Sequence, residues 1–472
     1  MHAEAPLDHR ATTMTGPRTS IRLHILRSVL FLAFAAAAGL PSTVAQSPPS
    51  APSQRADSPK SQRLSLKARR EIFETVWKDI RDHYYDPSFN GVNWDEIHTR
   101  YRPLVEAAGD DQEFYSMLSR MTGELHDAHT RFNSPEQWKK YKKQQGVSSG
   151  ISVDDVDGKT VVTTVRRDSS AAHAGIEPGM VVLSIDGKPV AERIAEIEKN
   201  KAPSSSERAT RLFSYGRLFA GPPDTEMRVG MERADGSRFE VTLERQVYSS
   251  VPDVITDVLP SGIAYIRFDG FQPAITKEFR QALERFKNAP GIVIDLRRNG
   301  GGDLGVLLPI AGFFFDKKTL FAKDKTRSGK PLSEFAGIFR LPLALYVGKP
   351  GDQIYSGPVV ILVDARSASS SEVFAAGMQD SQRAKIVGSQ SCGCVLGIAK
   401  PRIMKGGGVL EMSEVLWFSP KGRKLEGTGI LPDETVAPTL SDLQQKHDPA
   451  IETAERVLRG STATSRRASN KL

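Results

Sequence analysis

Apolar positions recur at helical spacing early in the chain and gather into short unbroken runs later. Ile72, Val76, Ile80 and Tyr84 fall on one helical face, and Ile97, Tyr101, Leu104 and Val105 on the face of a second helix. After Asp110-Asp111, a third face carries Phe114, Leu118, Met121 and Leu125. The spacing predicts a small helical domain that ends where His129 begins the next element. From residue 146 the pattern changes. Residues 161–165 and 181–185 read as strands, residues 169–180 as a short helix and a Pro-Gly turn, and Asp186-Gly187 as a hairpin turn. Beyond residue 250, continuous apolar runs at 292–294 and 359–363 alternate with helical patterns, which predicts an α/β core with strands buried on both faces. Residues 316–357 carry Lys, Gly and Pro without clear periodicity and read as an insertion near the active face. A last helix is expected over 449–459 and a basic, disordered tail over 460–472. There are no internal repeats.

The N-terminus adds a targeting expectation. Arg22 and Arg27 precede the apolar run 29–38, and Thr43-Val44-Ala45 places small residues before Gln46. This is the layout of a secretory signal, with cleavage after Ala45 and a periplasmic destination in a Gram-negative source. The run is short for a permanent anchor, the other reading of the segment. Glu4 and Asp8 stand in an unusually long stretch before Arg18, which points to Met14 as the start of translation. Residues 46–66, rich in Ser, Pro, Gln and Lys, read as a disordered tether. The formal charge is +8; +2 of it lies in residues 1–45 and +5 in residues 456–472, leaving +1 for the body. The basic balance therefore makes no case for nucleic-acid binding, and no basic stripe or zinc-type cysteine spacing is present.

The candidate chemistry lies around the second apolar run. Residues 359–363 lead into Ser367-Ala368-Ser369-Ser370-Ser371-Glu372 and then into a helix through Val373, Phe374, Ala375, Ala376 and Met378. A serine on a sharp strand-to-helix turn has an exposed hydroxyl and free N–H groups beside it, which suits an acyl-transfer nucleophile. Helix capping is the plainer alternative. Upstream, the run 292–296 ends in Arg297-Arg298-Asn299-Gly300-Gly301-Gly302, a turn able to bring bare backbone N–H groups to a ligand. Downstream stands Glu426-Gly427-Thr428-Gly429-Ile430-Leu431-Pro432-Asp433. Ahead of all of these stands Leu125-His126-Asp127-Ala128-His129-Thr130.

In this order, around a PDZ-like segment, the motifs resemble the C-terminal processing (tail-specific) serine protease family that includes the tricorn core. The resemblance covers residues 68–440. It implies an α/β core of the ClpP/crotonase-like type, with an inserted PDZ-like β domain and an N-terminal helical domain. The corresponding division is 1–45 signal peptide, 46–66 linker, 67–145 helical domain, 146–247 PDZ-like domain, 248–445 peptidase core, and 446–472 C-terminal helix and tail. The family pattern makes Ser369 the nucleophile and the N–H of Ser370 one oxyanion donor, with Gly301 or Gly302 supplying the other. Many members use a lysine in a Gly-Lys pair as the base, but that position holds Cys394, and Lys385 and Lys400 are out of register. The tricorn-like branch instead uses a histidine before the PDZ module, oriented partly by a glutamate, and His129 and Glu426 occupy those places. His126 and a Cys394 thiolate are the alternative bases. In the tricorn branch a serine precedes the histidine and relays it to the glutamate; here Ala128 stands there, so Thr130, a water or a direct bond would have to serve. Asp380 matches a family position expected to be structural, and Asp295 and Arg297 are expected to hold the glycine turn.

Cys392 and Cys394, the only cysteines, have two open states: an i,i+2 disulfide in an oxidising compartment, or two buried thiols. In the PDZ-like segment, Ser149-Gly150-Ile151 stands where backbone donors hold a terminal carboxylate. The resemblance implies no cofactor, and partners that are unfolded or C-terminally exposed protein substrates. It leaves the oligomeric state undetermined. With the lysine missing, the same fold also admits a non-catalytic peptide-binding protein, or a binder of small apolar ligands.

Overall fold

Three helices form on the three apolar faces: α1 (Leu66–His83), α2 (Trp94–Ala107) and α3 (Asp111–Gly123). Each starts on a side-chain cap, with Ser65, Asn93 and Asp110 accepting the N–H groups of Ala68, Glu96 and Glu113. Ile72, Val76, Ile80, Tyr84, Phe114, Leu118, Met121 and Leu125 share one core. In α2 the buried stripe is Ile97, Tyr101 and Val105, while Leu104 is 42% exposed. At 100° per residue, Leu104 falls off a stripe set by steps of four. The computed structural model describes residues 63–469 apart from 144, 200–203, 250–252, 331–332, 337–338 and 343–344. The signal-peptide expectation, and the tether up to residue 62, fall on residues outside those described.

A β-rich region follows. Strands β1 (Ile151–Val156), β2 (Lys159–Val165), β3 (Val181–Ile185), β4 (Glu226–Glu232) and β5 (Arg238–Glu244) lie side by side in that order, all antiparallel. Asp186 and Gly187, at φ 51° and 78°, make the hairpin turn that their sequence predicts. Helix α4 (Glu207–Arg217) packs beside the edge strand β1, and Tyr215 shares a core with Ile151 and Val153. The strands Gln145–Ser148 and Gln246–Ser249, which lead into and out of this region, pair antiparallel.

The remaining chain builds a mixed α/β sheet. Strands β6 (Val254–Val258), β7 (Ala264–Phe268), β8 (Ile292–Asp295), β9 (Val359–Val363), β10 (Ala384–Gly388) and β11 (Glu434–Thr435) lie in that order, antiparallel only between β6 and β7. β8 and β9 are buried at every position, as their unbroken apolar runs require. One face of the sheet carries α5 (Ile275–Arg285), α6 (Leu304–Gly312) and α7 (Ser370–Asp380), whose Phe279, Leu307, Ile310 and Phe374 pack with Ile292, Ile294 and Ile361. The other face carries α8 (Pro449–Ser469), whose Ala450, Ala454 and Leu458 meet Val293, Val360 and Leu362. The period of two along each strand thus feeds both layers.

Two regions depart from the sequence pattern. Residues 316–357 are not an irregular insertion: Thr319–Thr326 and Leu345–Val347 join Ser413–Phe418 and Gly397–Ile398 in a four-stranded sheet, and Ser333–Ala336 pairs with Phe339–Pro342. In the first of these strands the buried position after Ala322 is filled by Asp324, between exposed Lys323 and Lys325, so its alternation is not one of apolar residues. The last helix continues past Arg459 to Ser469. No described helix is long and apolar enough to cross a membrane.

Candidate active site

The serine turn and the glycine turn leave the same ends of the neighbouring parallel strands β9 and β8, so sheet order alone brings them together. Three of the four serine hydroxyls tie the two turns. Ser367 Oγ donates to Leu296 O at 2.8 Å, Ser370 Oγ to Gly302 O at 2.6 Å, and Ser371 Oγ to Asn299 O and Oδ1, both at 2.8 Å. Ser369 is the serine left over. It immediately precedes α7 at φ 56° and ψ −121°, a backbone region that costs a non-glycine residue about 1–3 kcal/mol and that the surrounding bonds must hold.

Those bonds come from a hub that the sequence reading did not single out. Glu372 is fully buried and accepts from Ser369 N at 3.0 Å, Ser391 Oγ at 2.5 Å, Gly393 N at 2.7 Å and Cys394 N at 3.0 Å. Burial pushes its carboxyl up to about 7 against the pull of these four donors. The only signal for it in the sequence is the Ser-x-x-Glu spacing of a capping box. Cys394 O also accepts from Ser369 N, at 2.8 Å.

Gly301 presses on the nucleophile turn. A Cβ there would stand 2.6 Å from Ser369 Cβ and 2.8 Å from Ala368 O, and its φ of 99° already favours glycine. Its N–H is taken by Asn299 Oδ1 at 2.9 Å. Among the described residues, the N–H groups of Ser370 and Gly302 meet no hydrogen-bond acceptor.

His129 borders a cavity of about 1170 Å³ together with Ala128, Gly300, Ala368, Cys392 and Cys394; His126 does not line it. Asp127 sets the backbone there: its Oδ1 accepts from His129 N at 2.8 Å and Thr130 N at 2.6 Å, and its Oδ2 from the Tyr84 hydroxyl at 2.8 Å. His129 Nδ1 is buried without a hydrogen-bond partner among the described residues. Burial lowers the imidazole to about 4, so the ring is neutral at physiological pH.

Glu426 is 7% exposed and does not hydrogen-bond His129. It accepts from Val395 N at 2.6 Å and from the Ser205 hydroxyl, and burial raises it to about 7, helped by the nearby charges of Asp127 and Glu372. Ser205 Oγ in turn accepts from Ala128 N at 3.0 Å. A serine does therefore stand between the residue preceding His129 and the glutamate, but it comes from the segment before α4, where nothing in the sequence marks it. Thr130 Oγ1 accepts instead from Ser413 N at 3.1 Å.

The remaining candidates fall as follows. Cys392 and Cys394 form a disulfide, with Cα atoms 5.2 Å apart, so Cys394 carries no thiolate in this state. Lys385 pairs with Asp433 at 3.1 Å, Arg297 bridges Asp295 at 2.7 Å and Asp448 at 2.8 Å, and Arg423 pairs with Asp380 at 2.7 Å. Ser149-Gly150-Ile151 leads into β1. Gly150 N donates to Ser148 Oγ at 2.9 Å, and Ser149 Oγ is buried without a partner among the described residues. Along the same edge strand, Arg366 of the serine turn donates to Val153 O at 2.8 Å.

Known proteins share these features. The model of peptidase family S41 matches residues 262–436, which contain both turns and Glu426, and the tricorn protease C1 domain matches residues 66–123, the three helices. The carboxyl-terminal-processing protease of Synechocystis sp. is 26% identical over 401 residues, covering 82% of this chain and 85% of the relative. Carboxyl-terminal-processing peptidase 2, chloroplastic, of Arabidopsis thaliana is 25% identical over 387 residues, covering 77% and 68%. Among solved structures, the photosystem II D1 C-terminal processing protease superposes with a TM-score of 0.53 at 22% identity, covering 80% of this chain and 97% of that one. Mature CPAF superposes with a TM-score of 0.63 at 14% identity, covering 83% and 96%. The fold is thus that of a serine-type peptidase. Residues 262–436 match peptidase family S41, and the chain as a whole is similar to carboxyl-terminal-processing proteases.

Proposed function

We propose that this chain is an exported serine endopeptidase that captures unstructured protein C-termini and cleaves peptide bonds through an acyl-enzyme on Ser369. The observation that carries the reading is the turn itself: Ser369 is held at positive φ, beside the unoccupied N–H groups of Ser370 and Gly302. The oxyanion that forms on the substrate carbonyl as Ser369 attacks would find these two donors in place, and losing one such donor typically costs about 2.7–4 kcal/mol of transition-state stabilisation. Gly302 fits the second position better than Gly301, whose N–H is already taken. His129 acts as the base, neutral and facing the same cavity as the serine turn. Glu426 acts through Ser205 and the backbone of Ala128 rather than through a direct bond. A fluorophosphonate probe tests the reading: it should label the wild type at Ser369 and leave Ser369→Ala unlabelled. Absence of labelling in folded wild-type protein would refute it.

The inserted β domain is read as a PDZ domain, with the groove between the edge strand β1 and α4 taking the peptide as an added strand. Ser149-Gly150-Ile151 would meet the terminal carboxylate. Peptides with a free carboxylate and an apolar last residue should bind about tenfold or more better than their amides, since a charge-assisted hydrogen bond is worth roughly 1.5–3 kcal/mol. Titration of both forms by calorimetry checks this, and equal affinities would show that the domain does not read C-termini.

Export rests on Arg22, Arg27, the apolar run 29–38 and the small residues before Gln46. N-terminal sequencing of the mature protein should begin at Gln46. A chain beginning at Met1 or Met14 in the cytosolic fraction would overturn the export reading.

A further inference from the structure

The disulfide sits where a structural staple has little to do. It closes a loop of only three residues, so it removes little freedom from the unfolded chain. Its surroundings are instead those of the reaction centre. Cys392 and Cys394 line the same cavity as His129 and pack against Ala128 and Ala368, the immediate neighbours of the base and the nucleophile, and against Ala209 of α4. The peptide groups of the loop hold the nucleophile from behind: Cys394 O takes Ser369 N, while Gly393 N and Cys394 N bind the carboxylate of Glu372, which takes Ser369 N as well. Cys392 O accepts from Ser206 Oγ at 2.5 Å, tying the loop to the start of α4. No other cysteine exists in the chain to exchange with this pair.

We propose that Cys392–Cys394 is a redox site, reducible by a dithiol entering the catalytic cavity, whose state sets the activity of Ser369. A thiolate of the dithiol attacks one sulfur and breaks the Cys392–Cys394 bond, giving a mixed disulfide. The second thiol of the reductant then displaces the protein, and the reductant leaves as its own disulfide. Two electrons and two protons have passed to the protein, which holds two thiols. The loop is no longer clamped, and the three hydrogen bonds from its peptide groups to Ser369 and Glu372 lose the covalent constraint that positions them. The oxidised form is the active one.

This proposal rests on Ser369 as the nucleophile, so the experiment separates the two. The full-length mature protein is treated under native conditions with dithiothreitol, alkylated with iodoacetamide and weighed intact, and the rate of fluorophosphonate labelling at Ser369 is followed in parallel. The expected result is no alkylation before reduction and two alkylations after it. Labelling should slow about tenfold on reduction and recover on reoxidation. A folded Cys392→Ala/Cys394→Ala variant should label at the slow rate and ignore dithiothreitol. Two alkylations before reduction, none after it, an unchanged labelling rate in the doubly alkylated protein, or a dithiothreitol response that persists in the variant would each overturn the redox site while leaving Ser369 as nucleophile. No labelling of the oxidised protein would overturn the nucleophile, and the redox control with it.

Discussion

Replacing Ser369 with alanine is expected to abolish turnover of an unfolded substrate such as casein while leaving the fold intact. Removing the serine of a catalytic triad costs about a millionfold in kcat in a well-studied protease. The fold should tolerate the change because the turn is tied by the hydroxyls of Ser367, Ser370 and Ser371 and by the backbone of Ser369, all of which remain. Alanine meets the same backbone cost as serine at φ 56°. Casein hydrolysis and circular dichroism on the same preparation check both halves. A variant that keeps a tenth of wild-type activity would show that Ser369 is not the nucleophile.

His129→Ala should cost nearly as much, again about a millionfold, because a serine without its base is a poor nucleophile. Cys394→Ala should cost at most about tenfold, since a sulfur bound in the disulfide cannot accept the serine's proton and acts only through the loop. The reverse ranking would overturn the assignment of the base. The pH dependence separates the two buried groups. The imidazole, lowered to about 4 by burial, stays neutral across the ordinary range, so its own acid limb lies well below the usual histidine value. Glu426, raised to about 7 by burial, protonates first, and the charge that supports the imidazolium goes with it. Wild-type kcat should therefore fall as pH drops through about 7. Glu426→Gln should weaken this limb, leaving the part that comes from Glu372, which burial raises to the same value, and the limb near 4. The stability effect of Glu426 has the opposite sense: its folded pKa lies above its ordinary 4.5, so its contribution is full below about 4.5 and is lost as pH rises through about 7. A wild-type profile flat from pH 8 to 5 would rule out a role for Glu426 in the reaction.

Much of the frame was legible because it rests on local rules. The faces of α1 and α3, the unbroken runs of β8 and β9 and the Asp186-Gly187 turn each follow from neighbours within a few residues, where side-chain period and backbone preference decide. The serine and glycine turns stood out because each combines a buried strand with residues that free the backbone. Leu104 and the strand Thr319–Thr326 were misread where the pattern carried one apolar residue too many or put a charged residue in a buried place.

By itself the sequence determined the helices, the buried strands, the order of the motifs and the absence of a lysine at the position held by Cys394. The tertiary structure alone decided how the site is wired. It spent the hydroxyls of Ser370 and Ser371 on the glycine turn, gave the N–H of Gly301 to Asn299 and left that of Gly302 open. It brought Ser205 between Ala128 and Glu426, joined Cys392 to Cys394, and made Glu372 the hub behind the nucleophile. Most of these contacts join residues far apart in the chain, and a hydrogen bond forms or fails over a few tenths of an ångström. No local pattern encodes such a distance; it is set by strand order, by the packing of helices on the sheet, and by which donors remain once every buried group has found its partner.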